Sequence, residues 1–149
     1  MLTPEDQALL TDYLNAGDKL LLSGQNIGND LVEDGSYEDP LIYATYMKAE
    51  YVQDNAEPML LIGMQGDPIT HGIFLNFTGS YGGAGNQDSP DVISSIAPAA
   101  QILKYTPSLT GAGLRYIDET NGSYVIYLPF GIEGIAGPYE YSFKKFLSN

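Results

Sequence analysis

The sequence predicts an α/β domain built on a mostly parallel sheet, and three observations carry that expectation. Leu9, Leu10, Tyr13 and Leu14 fall at helical spacing, "KLLLS" over Lys19–Ser23 follows directly as a continuously apolar run, and "MLLIGM" over Met59–Met64 repeats that pattern. Strands covered on both faces read this way, whereas half-exposed antiparallel strands alternate. A helix feeding a buried strand implies α/β layering.

The elements follow in order. Thr3 is placed to N-cap the first helix, Pro4 suits its first position, and Glu5 and Asp6 complement the positive end of its dipole. Gly17 is the expected stop. After Lys19–Ser23 comes the polar turn "SGQNIG", Ser23 to Gly28, where Ile27 and Leu31 suit a short helix. The acidic loop "VEDGSYEDP" ends at Pro40, "LIYATYMKA" over Leu41–Ala49 reads as helix, and "EYVQD" as a short strand. Gly66-Asp67-Pro68 closes the apolar run at Met64 with a turn. "GIFLNF" alternates weakly, and Ser80–Asp91 is a glycine-rich polar loop. "AQILKYT", "AGLRYID" and "SYVIYLPF" then read as three strands, with Asn121-Gly122 marking an antiparallel hairpin flanked by Ile117 and Tyr124. Tyr139, Phe143, Phe146 and Leu147 make one apolar face of a terminal helix, with Lys144 and Lys145 near its negative end.

Composition narrows the function. The 149 residues, 44% hydrophobic, suit one domain spanning 1–149. With 19 acidic against 6 basic residues the formal charge is −13, a field that repels phosphate backbones and anionic lipid heads. Nucleic acid and membrane surfaces are therefore not expected partners. No cysteine is present, which removes disulfides, thiolate metal sites and a cysteine nucleophile together. The opening "MLTPEDQ" has no signal-peptide pattern, and no run of 18 apolar residues occurs.

The blocks "LTPEDQALLTDYLNAGDKLLLSGQNIG", "YATYMKAEYV", "GDPITHGIFLNF", "GNQDSPDVISSI" and "GSYVIYLPFGIEGI" resemble a class I glutamine amidotransferase-like domain of large secreted bacterial proteins. The resemblance implies a flavodoxin-like three-layer sandwich, mostly parallel with an antiparallel hairpin near the C-terminus. It also implies a secreted or cell-surface setting beside neighbouring modules of a parent protein or an extracellular ligand. Such a domain carries one or two βα units before the helix at Pro4, so the chain is expected to begin mid-domain. That arrangement leaves an apolar sheet edge at Lys19–Ser23, open to a homodimer or covered by later strands. The family's Gly-x-Cys-x-Gly elbow is replaced here by Ser23-Gly24-Gln25-Asn26-Ile27-Gly28, which excludes its glutamine hydrolysis.

The expected function is thus a non-catalytic accessory or binding domain, with no cofactor implied. Gln25 and Asn26, at the carboxyl end of a strand, are the expected ligand-binding residues, because their amides both donate and accept. Capping of the turn is the competing role. A serine hydrolase is the alternative: Ser23 as nucleophile, His71 as base, and Asp67 or Glu133 to orient it. No Gly-x-Ser-x-Gly elbow supports it. A third possibility is a carbohydrate- or calcium-binding module. Its cation would sit in the acidic loop of Asp30, Glu33, Asp34, Glu38 and Asp39, with Asp88 and Asp91 as a weaker pair, although the order is not that of an EF-hand. Its sugars would stack on tyrosines such as Tyr43, Tyr46 and Tyr51.

Overall fold

The computed structural model describes residues 2–33, 35–57, 60–77 and 83–136. Helix α1, Pro4–Asn15, starts as expected: the Thr3 side chain accepts from the Asp6 amide and Asp6 answers the Thr3 amide, a closed capping box. Its C-terminal end is held by Asn121 Nδ2, which donates to Leu14 O at 2.9 Å. Strand β1, Lys19–Ser23, follows. Helix α2 covers Ile27–Val32, and helix α3, Pro40–Ile42, continues into a π-helical turn over Tyr43–Met47. The expected helix at 41–49 is therefore shorter, because Lys48 adopts φ +52° and Ala49 already opens β2, Ala49–Gln53.

The remaining strands are β3 (Leu60–Gly63), β4 (Phe74–Asn76), β5 (Val92–Ser95), β6 (Ala100–Thr106), β7 (Gly111–Ile117) and β8 (Tyr124–Leu128). Of the eight described strands, six form one curled, half-barrel sheet in the order β1-β8-β7-β6-β3-β4, while β2 and β5 pair antiparallel as a second, two-stranded sheet. The Asn121-Gly122 hairpin is present, with Ile117 opposite Tyr124 and Gly122 at φ +83°. The expected terminal helix at 139–147 lies outside the described residues.

The flavodoxin-like sandwich is overturned. Among the described residues only β1 and β8 pair in parallel; β3–β4, β3–β6, β6–β7 and β7–β8 are all antiparallel. The physical reason is in the connections. Parallel neighbours need a crossover of about a dozen residues or more, usually through a helix. Here β6 reaches β7 across residues 107–110 and β7 reaches β8 across 118–123, so these strands can only turn back on themselves. Among the described residues no helix follows the π-helical turn except a single 3-10 turn at Ile132–Gly134, so no described crossover helix joins successive strands of the late half as a parallel sheet requires.

Two cores lie on the faces of the large sheet. Leu61, Ile73, Leu75, Phe77, Leu103, Tyr105 and Phe130 fill one, with Phe77 and Phe130 edge to face at 4.9 Å. Leu14, Leu31, Tyr43, Met47, Ile93, Leu114 and Tyr127 fill the other, beneath the helices.

Candidate functional site

The carboxyl ends of β1 and β8 lie side by side, and the expected ligand residues gather there. Ser23 closes β1, and its Oγ donates to Phe130 O at 2.8 Å while accepting from Ile132 N at 2.9 Å. The hydroxyl is a bracket that fixes the chain leaving β8. Gln25 is engaged at both ends: Nε2 donates to Asn86 O at 2.8 Å and Oε1 accepts from Ser89 N at 3.0 Å. Glu133 Oε1 accepts from Asn86 Nδ2 and Gln87 Nε2, and Gln87 Oε1 accepts from Gly131 N at 2.6 Å. Ser23, Gln25 and Glu133 thus belong to one network that ties residues 86–89 to residues 130–133.

His71 is not part of it. Strand β1 runs toward Ser23, and β3 runs the opposite way, because β3–β6, β6–β7 and β7–β8 are each antiparallel and β8 is parallel to β1. The segment after Gly63 that carries His71 therefore sits at the other end of the sheet, a strand length or roughly 15 Å away along the strands alone. There His71 Nδ1 accepts from Gly66 N at 2.9 Å. No hydrogen-bonded serine–histidine pair forms.

Asn26 and Asp91 are the exceptional pair. Asn26 holds φ +64° at the start of α2, and its Oδ1 is buried with no partner. Asp91, immediately before β5, is fully buried. Its Oδ2 accepts from Gly28 N at 2.7 Å, but its Oδ1 has no donor. Tyrosines crowd the carboxyl without serving it: Tyr105 Oη donates to the Asp91 carbonyl at 3.2 Å, and Tyr43 Oη donates to Tyr127 Oη at 3.3 Å. Burial pushes the Asp91 carboxyl up; the amides of Gly28 and Asn29 pull it down, and the Asp54 and Asp30 carboxylates add repulsion, leaving it at about 7. Burial likewise raises Tyr43, Tyr105 and Tyr127, so these rings stay neutral. Gly28 is required at this junction, since a Cβ there would stand 2.7 Å from Tyr43 Oη and 3.0 Å from Asp91 Oδ2.

The expected cation site is not assembled. Asp30 and Glu33 lie on and just after α2, Asp34 falls outside the described residues, and among the described residues no three His, Cys, Asp or Glu side chains are grouped to hold a metal ion. Of the tyrosines expected to stack on sugars, Tyr43 is fully buried, Tyr46 Oη donates to Asn15 Oδ1 and Tyr51 Oη accepts from Asn29 Nδ2, while the opposite end of the sheet carries a different ring, Tyr116. A groove of about 450 Å³ there is lined by Pro98, Arg115, Tyr116 and Asp118, but the Lys48 ammonium already lies 5.4 Å over the Tyr116 ring.

Sequence reasoning missed Asp91 as a buried group, weighing it only as a loop carboxylate. Its position between Pro90 and the apolar start of β5 was the one available signal. Compared with known proteins, the chain matches no family model, no curated protein and no solved structure.

Proposed function

We propose that the chain is a non-catalytic binding or organising domain. The observation that carries this reading is the state of Ser23: its hydroxyl both donates to and accepts from backbone groups, and the single histidine lies at the far end of the sheet. A nucleophile needs a base within hydrogen-bond reach, and Ser23 has backbone partners in that place. Gln25 and Glu133 support the same reading, being engaged in holding loops together.

The test is an esterase, amidase and peptidase panel on the wild-type chain and Ser23→Ala. No turnover above buffer is expected from either. Turnover abolished by Ser23→Ala would overturn the proposal. The substitution has a structural effect instead: losing one partner each for Phe130 O and Ile132 N is expected to lower unfolding free energy by about 1–3 kcal/mol, read by urea denaturation.

A further inference from the structure

Among the described residues strand β1 is one edge of the large sheet, and the backbone groups on its outer side follow from the register. Tyr124 N donates to Asp18 O and Gly24 N donates to Leu128 O, so the even-numbered residues of this stretch bond to β8. In a strand the backbone groups of successive residues point to opposite sides. Lys19, Leu21 and Ser23 therefore turn their N–H and C=O groups away from the sheet. Lys19 O is met by Tyr13 Oη at 3.0 Å, whereas no described residue pairs with the Leu21 backbone.

Beside this open backbone lies an apolar groove of about 510 Å³ between α1 and β1, walled by Leu2, Leu9, Leu10, Tyr13, Leu20 and Leu22. Leu9 is 68% exposed, and Leu21, on the other face of the edge, is 50% exposed. An added strand would set alternate side chains into the groove and against Leu21. Helix α1 runs back along β1, which puts Glu5 and Asp6 at the Ser23 end, with Asp6 in the groove wall and its carboxyl held below the usual range by Thr3.

We propose that β1 accepts an extended strand of a partner protein, apolar at alternate residues and carrying a basic residue at the end that meets Asp6. Charge selects this occupant over a second copy: two chains of −13 repel, and antiparallel self-pairing would bring the copy's Lys19 to the Ser23 end on the Leu21 face, not into the groove that Leu20, Leu22 and Asp6 line. The backbone provides the affinity and the groove provides the side-chain selection. The inference rests on the domain being a binding module and names the class of partner.

The test uses the full chain and two synthetic nonapeptides of alternating valine and threonine, one with arginine at both ends and one with glutamate. Binding is followed by calorimetry and by amide exchange at Leu21. The arginine peptide is expected to bind about tenfold or more tightly than its twin at low salt, to slow Leu21 exchange, and to lose that advantage at high salt. Leu21→Pro removes only an outward N–H, and Leu9→Lys alters an exposed position, so both should fold and both should abolish binding. Equal binding of the two peptides, or none, overturns the proposal. A concentration-dependent dimer in light scattering that Leu21→Pro dissolves overturns it in favour of a second copy. Neither result touches the non-catalytic reading, which falls only to Ser23-dependent turnover.

Discussion

Replacing Asp91 with asparagine is expected to make the protein more stable at pH 8 and no more stable at pH 4. The wild-type carboxyl has a folded-state value of about 7 against 3.8 as its ordinary value, so the folded state holds the proton more tightly than the unfolded state. Its contribution to stability is fully present below the unfolded value and is lost as pH rises through the folded one. Between those limits the loss approaches 1.4 kcal/mol per pH unit, on the order of 4 kcal/mol in total. Asparagine keeps an oxygen for Gly28 N and cannot ionise, so the descending limb between pH 4 and 7 should flatten. Urea denaturation of both proteins from pH 4 to 9 measures this. Parallel curves would mean that Asp91 stays ionised in the folded state, with an unseen donor on Oδ1. Addition of calcium chloride and of a chelator in the same series separates a cation in that role from a buried water.

The same carboxylate shows where the sequence stops being legible. Local signals were readable wherever the structure they encode is local: the Thr3 cap, the Asn121-Gly122 hairpin, and the three late strands, of which "AQILKYT" is β6 residue for residue. Strand direction was not, because an apolar run records burial and not partner orientation. "KLLLS" is apolar because Leu20 and Leu22 pack against the core that holds Leu14, Leu114 and Tyr127 and β8 lies beside it, yet Leu21 is half exposed at an edge. "LLIG" in β3 sits between two antiparallel neighbours and reads no differently. The polar residues after β1 pose the same problem: the partners of Ser23 are 107 and 109 residues away, and those of Gln25 are 61 and 64. Bracketing and catalysis draw on the same side chains, and only the distant partner distinguishes them. Asp91 pairs with Gly28 over 63 residues, so its burial was invisible in its own neighbourhood.

Removing Asp67 is expected to produce the largest loss in the other half of the molecule. Its Oδ1 accepts from Ile69 N and Thr70 N, each at 3.0 Å, and stands 3.1 Å from Thr70 Oγ1, while its Oδ2 accepts from Arg115 Nε at 2.8 Å. One carboxylate thus shapes the turn after β3 and fastens it to β7, with Thr70 Oγ1 reaching on to Ile102 O at 2.6 Å. Burial acts to raise the Asp67 carboxyl, but Arg115 and the donors from Thr70 and Ile69 together outweigh it and hold the carboxyl below its ordinary value. A depressed folded value contributes stability that is present above the unfolded value and is lost as pH falls through the folded one. Asp67 therefore steepens acid unfolding, opposite in sign to Asp91. Asp67→Ala leaves two amides and a partly buried guanidinium without their acceptor and should cost about 3 kcal/mol at pH 7. In Arg115→Met the turn donors remain, so its cost should be smaller, and the double substitution should cost less than the sum of the two. Additive losses would show that Arg115 and Asp67 act independently, and that the turn, not the ion pair, is what the carboxylate secures.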